Sequence, residues 1–317
     1  DVMLSKTKIF ILLVLFAMMA AVPTLTEVFD EPFYLALASR ILIFAIAAMS
    51  LDLILGYGGM VSFGHAAYIG LGAYAVAILN YYDIDNGWLH LAVAIVGSGF
   101  VAAIIGAISI RTGGLYFIMI TLAFTQMLFY LGISLEEYGG DDGINTYRSV
   151  FGDWIDLDDN TVFYYVILFF LALCTLISWR LVNSRFGMVI RGSHSNERRM
   201  LAIGYPVFRY RLVAFIISGA MCGVAGLLLA NLTEFVTPDF MRWQRSGEIM
   251  IMVLLGGMGT VFGPILGAAV FLLLEDILAG ITMHWWIVFG PILLIVILFA
   301  KKGLWGLVPG REGTSDD

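Results

Sequence analysis

Long apolar runs are the feature that most constrains this chain. Several approach or exceed the roughly 20 residues that an α-helix needs to span the hydrocarbon core of a membrane. Only 13% of the 317 residues are charged, about half of the share that soluble domains carry. We therefore predict an all-α integral membrane protein, with spans near residues 7–23, 34–56, 62–81, 89–110, 114–134, 161–181, 211–232 and 285–300.

The first run has a second interpretation. Residues Ile9–Val22 follow Lys6 and Lys8, and a short apolar stretch behind basic residues is also typical of a signal peptide. We expect an uncleaved first span. Either interpretation sends the chain outward near residue 23.

The charged residues are sorted by loop. Residues 180–211 contain seven arginines and one acid, Glu197, whereas residues 135–160 contain eight acids and one arginine, Arg148. Lys and Arg mark the cytoplasmic loops of membrane proteins. We therefore place 180–211 inside the cell, 135–160 outside, and the amino terminus with Lys6 and Lys8 inside.

The same rule constrains residues 247–279. The span over 211–232 exits outward, and Lys301 and Lys302 place the carboxyl terminus inside. The span over 285–300 already connects those two sides, so 247–279 must enter and leave on one face. Its centre, GGMGTVFGP (256–264), is rich in helix-breaking residues. We predict eight full spans plus a hairpin of two half-helices or thin spans, about ten helices in total.

A glycine-rich stretch, GYGGMVSFGHAAYIGLGAYA (56–75), partly repeats at GGMGTVFG (256–263). Matching interrupted segments in two halves of a transporter indicate a pathway built from discontinuous helices, although chance similarity between glycine-rich turns is the alternative. Small residues also recur at helical spacing, which favours close contact between helices; they are Ser62, Ala66, Gly70, Ala73 and Ala77.

Two polar residues lie within or beside this stretch. His65 could line a substrate path, because ionisable groups in membranes tend to face cavities, or it could hold the bend by hydrogen bonding to a nearby carbonyl. We prefer the second interpretation. Asp52 lies one turn before the break and could cap a half-helix or pair with another span.

Several chemistries lack the residues that they need. No lysine stands in a phosphate-binding G-K-[ST] loop, the four histidines have no metal-ligand spacing, and no G-x-S-x-G motif is present. No basic arm or aromatic–basic module supports nucleic-acid binding. Cys174 and Cys222 lie in apolar runs, where cysteines usually serve packing. We predict a protein that is not an enzyme and holds no metal.

The arginine-rich loop carries helix signals in SRFGMVIRGSHSNERRMLAIGYP (184–206). Ser195 can cap a short helix that begins at Asn196, and Gly204 with Pro206 can end it. Met200, Leu201 and Ile203 would give this helix an apolar edge among charges. Such a helix fits docking into a groove of another protein or lying in the lipid headgroup region.

Five blocks then appear in order: LILGYGGMVSFGHAAYIGLGAYAVAIL (53–79), GGLYFIMITLAFTQMLF (113–129), GGDDGI (139–144), RFGMVIRGSHSNERRMLAIGYPVFRYRLVAFIISGAMCGVAGLLLA (185–230) and VLLGGMGTVFGPILGAAV (253–270). They resemble the permease subunits of branched-chain amino-acid ABC importers, specifically the longer, LivM-type of two paired permeases. The resemblance covers roughly residues 33–305. It implies one permease domain over residues 1–310 with a tail over 311–317.

The resemblance implies partners and a mechanism. Such a permease pairs with a second, related permease, binds two cytoplasmic ATPases that hold ATP and Mg, and receives substrate from an external binding protein. It holds no cofactor itself and works by alternating access in the plasma (inner) membrane, with both termini cytoplasmic. The family's coupling loop maps onto residues 185–208, and the expected ATPase-coupling residues are Arg191, Ser195, Asn196, Glu197, Arg198, Arg199, Leu201 and Gly204.

The resemblance also places blocks 56–74 and 253–270 in helices near the transport path. The expected path-side or path-shaping positions are Gly58, Gly59, Ser62, His65, Tyr68, Gly256 and Gly257. Two departures stand out: Asp52 replaces an expected asparagine, and RGSHSNE (191–197) replaces a more charged run, with His194 near a glutamate position. The second departure suggests an adapted ATPase contact.

Asp52, in place of the expected asparagine, leaves the identity of the substrate open. Branched-chain or hydrophobic amino acids are expected, and urea, short amides or aromatic acids are the alternatives within the family. A secondary transporter or channel working alone is the rival from another class. It would need ion-coupling residues, for which Asp52 and His65 are the candidates.

Overall fold

The computed structural model describes residues 6–29, 32–152, 156–281, 284, 287–291 and 303–307, and these are almost entirely helical or in short connections. The predicted all-α membrane fold is confirmed. The helices are α1 (Lys6–Phe29), α2 (Pro32–Leu55), α3 (His65–Tyr81), α4 (Gly87–Ser109), α5 (Leu115–Ser134), α6 (Asn160–Asn183), α7 (Arg185–Ser195), α8 (Glu197–Ala202), α9 (Val207–Thr233), α10 (Trp243–Gly256) and α11 (Gly263–Ile281).

Short elements complete the described chain. Two-residue strands β1 (Ile144–Asn145) and β2 (Phe235–Val236) pair antiparallel, with Ile144 opposite Val236. Single turns of 3₁₀-helix lie at Glu136–Tyr138, Pro238–Met241 and Leu304–Leu307. Residues 287–291 are also helical.

The predicted spans correspond closely to the helices. Among the described residues, α2, α4, α5, α6, α9 and α11 are long and apolar enough to cross a membrane. Helix α1 contains the predicted first span, and most of the last predicted span, 285–300, lies outside the described residues. The third span is shorter than predicted, because residues 62–64 are not helical and α3 has 17 residues.

Connections that carry acids collect at one end of the helices. The backbone N–H of Gly87, at the start of α4, donates to the Val150 carbonyl at 2.7 Å, and β1 of the acidic loop pairs with β2 after α9. An ion pair of 2.9 Å between Arg148 and Glu234 connects the same two loops. The loops that charge assigns to one side of the membrane are therefore in contact.

The segment left ambiguous by sequence resolves into α10 and α11. Helix α11, with 19 residues, is long enough to cross a membrane, whereas α10 has 14 residues, or about 21 Å at 1.5 Å per residue. Before α10 the chain runs beside α3, where Met241 fills the space at Gly70. The hairpin thus consists of one short helix, α10, and one full-length helix, α11. A non-α-helical segment within the fold precedes α10.

Glycines set the contact between α3 and α9. A Cβ built on Gly72 would overlap the carbonyl of Gly223, and one on Gly226 would overlap the carbonyl of Ile69. In lipid, where apolar burial gives little drive for helix association, such close backbone contact supplies packing energy. The predicted small-residue face of α3 is buried, as Ala66, Ala73 and Ala77 are each fully covered.

This packing makes a testable prediction about stability. Gly226→Ala forces two backbones apart, and we expect it to destabilise the protein by about 1–3 kcal/mol, as overpacking does. Gly97→Ala on α4 is the matched control, because a Cβ there meets no atom within 4 Å and alanine favours a helix by roughly 0.5–1 kcal/mol. Thermal unfolding of both purified variants in detergent measures the difference. Equal melting temperatures would contradict the close-contact interpretation.

Candidate functional site

Two interrupted segments meet beside α5. Residues 56–64 separate α2 from α3, and residues 237–242 precede α10. The ring of Phe63, in the first segment, lies 6.5 Å between centroids from the ring of Trp243, the first residue of α10 after the second segment. The break before α3 therefore packs against the start of α10.

Hydroxyl groups satisfy the backbone of this region. Thr121 Oγ1 accepts the N–H of Phe63 at 3.2 Å, and Thr125 Oγ1 donates to the Phe63 carbonyl at 3.0 Å. Ser62 Oγ accepts the N–H of Gly64, and Ser246 Oγ of α10 accepts that of Ala66 at 2.9 Å. Backbone groups left without partners in a membrane are costly, so these contacts make the break possible.

His65 starts α3 and lies in a closed, fully buried cluster. Its Nε2 is 2.8 Å from Ser218 Oγ, and Ser218 Oγ donates in turn to the Ser50 carbonyl at 2.5 Å. Because that hydroxyl has one proton, His65 donates from Nε2, and α2, α3 and α9 are joined through one side chain. The carbonyl that sequence reasoning expected as the partner is reached through Ser218.

Tyr68 packs edge-on against His65 and Phe215, with ring centroids 5.7 and 6.1 Å away. Both Tyr68 and His65 have no exposed surface. Cys222 donates its thiol to the His65 carbonyl at 3.3 Å. The structure therefore places these two expected path residues inside a packed layer and not on a cavity wall.

The expected glycine positions divide into two groups. Gly58 and Gly59 line a cavity of about 240 Å³, together with Thr112, Glu197 and Arg211. Gly256 and Gly257 are buried and pack against Gly263 and Gly303. Ser62 is buried in the break and bonds the backbone.

Asp52 connects the two glycine-rich breaks. Its Oδ1 accepts the backbone N–H of Gly259 at 2.8 Å, and the residue is 1% exposed. Gly259 lies in the turn between α10 and α11, so the end of α2 is tied to the partly repeated motif. Of the two roles considered from sequence, the structure shows a capping-type contact, made to the other break.

The arginine-rich segment forms the short helices α7 and α8. The prediction that Ser195 caps the second helix is wrong. Ser195 is the last residue of α7, and the extended backbone of Asn196 lets its Oδ1 accept the N–H of Arg199 at 2.9 Å. The helix ends at Ala202, and Gly204 follows with φ of +90°.

Most of the expected coupling residues face outward. Arg191 is half-buried and donates to the Val182 carbonyl at 3.3 Å, and the other seven are exposed. Leu201 and Ile203 are 53% and 63% exposed. Met200, predicted to share their edge, instead packs against Gly192.

One contact, between residues 135 positions apart, was not predicted. The ring of His194, near the end of α7, packs on the backbone of Gly59, where a Cβ would overlap the imidazole. Gly59 also has φ of +66°, a conformation that favours glycine. On the same side, Arg211 bonds Glu197 at 2.9 Å and the Ser193 carbonyl at 3.1 Å. The arginine-rich segment thus touches the break directly.

Comparison with known proteins identifies the family. Residues 33–298 match the family model described as the permease component of branched-chain amino acid transport systems. The chain is 25% identical over 292 residues to the high-affinity branched-chain amino acid transport system permease protein LivM of Salmonella typhimurium, covering 84% of this chain and 69% of that protein.

Two other relatives are similar over most of their length. A probable branched-chain amino acid transport permease protein LivM of Methanocaldococcus jannaschii is 25% identical, over 83% of this chain and 90% of that protein. The permease protein LivH of Escherichia coli is 22% identical, over 83% and 91%. No solved structure matches. The chain belongs to the family of permease components of branched-chain amino acid transport systems, and it is a multi-pass membrane protein and a transport permease, not an enzyme.

Proposed function

We propose that this chain is the membrane-spanning subunit of an ATP-driven importer for branched-chain or other hydrophobic amino acids. It forms half of the translocation path and pairs with a second, related permease. The relatives support this pairing, because the chain resembles both LivM and LivH, two permease proteins named for the same kind of transport system. Substrate arrives from an external binding protein.

The contact between His194 and Gly59 is the observation that carries the mechanism. His194 is an exposed residue near the end of α7, and Gly59 belongs to the break that precedes α3. Displacement of α7 pushes on backbone that is not held in a helix. A movement of the arginine-rich segment is therefore passed to the interrupted helices through a single contact, that of His194 with Gly59.

The outward face of α8 is the proposed docking surface for a cytoplasmic ATPase. Leu201 and Ile203 supply exposed apolar area, and Arg198 and Arg199 supply positive charge beside it. An apolar helix edge with flanking charge suits a groove in another protein. ATP and Mg bind in two such ATPases, since this chain has no phosphate-binding loop.

The proposed cycle is alternating access in the plasma (inner) membrane. The arginine-rich segment and both termini lie in the cytoplasm, following the charge rule, and the acidic loop faces outward. Closure of the ATPases moves residues 185–208 and tilts the spans. A partner shifts such an equilibrium only through contacts that differ between the two states.

Uptake by the reconstituted complex tests the proposed function. Proteoliposomes that contain the chain with its co-purified subunits should accumulate leucine when ATP and the binding protein are supplied. We expect vanadate to stop uptake and a protonophore to leave it intact, because the energy comes from ATP. Uptake by the purified chain alone, driven by a proton gradient, would overturn the proposal in favour of a secondary transporter.

Charge reversal on α8 should uncouple the complex. Replacing Arg198 and Arg199 with Glu changes the charge of the docking surface by four units, since two positive charges become two negative ones, and we expect substrate-stimulated ATPase activity to fall at least tenfold. The control is the same change at Arg180 and Arg209, which are exposed but lie outside residues 184–206. Unchanged stimulation in the α8 variant, with the complex assembled, would exclude docking there.

The His194–Gly59 contact predicts a suppressor. Gly59→Ala should slow uptake at least tenfold without loss of assembly, because the added methyl group overlaps the His194 ring. His194→Ala in the same chain removes that ring, and we expect it to restore part of the rate. Gly113→Ala is the control, since Gly113 lines the same cavity and has no atom within 4 Å of the added Cβ. Identical rates for the single and double variants would assign the slowing to backbone strain at Gly59, whose φ is +66°, and would contradict a role for the His194 ring.

A further inference from the structure

A second cavity lies among α2, α3, α9 and α10, on the side of the acidic loop. Its volume is about 290 Å³, at the lower end of the range for small-molecule sites. Two cationic side chains, Arg40 and Arg245, line it together with an apolar wall. The wall includes Phe44, Leu229, Leu232 and Phe240. This combination is amphipathic, with charge and apolar surface in one small space.

The two arginines lie within the helical part of the fold. Arg40 is the ninth residue of α2, and Arg245 is the third residue of α10, which begins beside α3. Charged side chains within membrane helices are costly and usually face a cavity or a polar partner. Arg40 and Arg245 line this cavity, so the cavity accounts for their positions.

Each guanidinium has donors to spare. Arg40 Nη2 is 3.3 Å from Glu275 Oε1, longer than the 2.7–2.9 Å of a strong charge-assisted hydrogen bond. Arg245 Nη1 contacts Glu248 Oε2 at 2.8 Å. A guanidinium has five N–H donors and can bind a carboxylate through two of them. Arg40 also lies over the Phe44 ring, 5.8 Å from its centroid, which orients it.

We propose that this cavity is a binding site for a zwitterionic amino acid with an apolar side chain. The ligand's carboxylate binds Arg40 and Arg245, its ammonium group lies near Glu248 and Glu275, and its side chain contacts the apolar wall. Each lining arginine is paired with an acid that lies outside the lining, so the charges around the cavity balance and suit a net-neutral zwitterion better than a net anion. The inference rests on the proposed function and assigns the substrate a place within this chain.

Position supports this assignment. Leu232 and Thr233 of the lining are the last residues of α9, directly before the segment that leads to β2 and the acidic loop. Ile69 of the lining is one helical turn from His65, and Val61, on the other side of His65, lines the first cavity. The two cavities thus lie on opposite sides of the buried His65–Ser218 layer.

Cysteine protection in the full chain tests the site. Thr233→Cys places a thiol at the exposed end of the lining, and the native cysteines are buried, so the parent chain gives the background. We expect leucine to slow labelling by a charged thiol reagent at least threefold. The amine 3-methylbutylamine, which lacks the carboxylate, should not protect. Equal protection by that amine would overturn the carboxylate assignment.

Arginine variants complete the test. Arg245→Gln with Glu248→Gln, and Arg40→Gln with Glu275→Gln, remove charge in pairs, and each should raise the leucine concentration needed for protection at least tenfold. Arg242→Gln is the control, because Arg242 pairs with the neighbouring Asp239 and does not line the cavity. Undiminished protection in both paired variants would reject the site. Protection by lipid phosphate would point to a lipid site instead. It is tested by comparing the labelling rate in phosphatidylglycerol vesicles with the rate in micelles of an uncharged detergent.

The outcome is separable from the proposed function. If the reconstituted wild-type complex takes up leucine with ATP while both paired variants keep its KM, the site fails and the importer stands. If the wild type shows no ATP-driven uptake but the chain still binds leucine at this cavity, the proposed function fails and the site stands.

Discussion

The constraint on which this structure depends is that a membrane offers no water to satisfy broken helix backbone. The chain leaves the helical conformation before α3 and before α10, where other segments must supply hydrogen-bonding partners. For the break before α3, Thr121 and Thr125 of α5 and Ser246 of α10 do so. The break is therefore a property of the assembled fold, because its partners come from helices distant in sequence.

The two ends of the break are held differently. Near His65, a chain of hydrogen bonds through Ser218 to Ser50 joins three helices in a fully buried layer. At Gly59 the segment is exposed and meets the ring of His194. One end is thus fixed by directional bonds, and the other rests on a packing contact. In the proposed mechanism, a displacement of α7 would be taken up by the backbone between these ends, which is the part without helical hydrogen bonds.

Sequence patterns predicted what depends on local composition. Helix positions followed from apolar runs, the sorting of loops followed from charge, and the glycine-rich breaks followed from residue type. Competition between side-chain and helical hydrogen bonds was harder to predict. Residues 62–64 were expected to be helical, but Ser62 Oγ accepts the N–H of Gly64, an alternative to the helical bond that serine side chains often offer the backbone. The partners of Asp52, His65 and Gly59 could not be predicted, since each lies more than 100 positions away.

The same limit explains why neither cavity was visible in the sequence. Arg40, Leu229 and Arg245 have no shared periodicity, and folding alone brings them together. Their cavity and the one at Gly58 and Gly59 are separated by side chains whose hydrogen bonds are made within the protein. A polar solute crossing this layer must exchange bonds with it, because a buried polar group left unpaired costs about 1–3 kcal/mol. In the proposed cycle, a solute that moved inward from this cavity would therefore meet the buried layer that joins α2, α3 and α9.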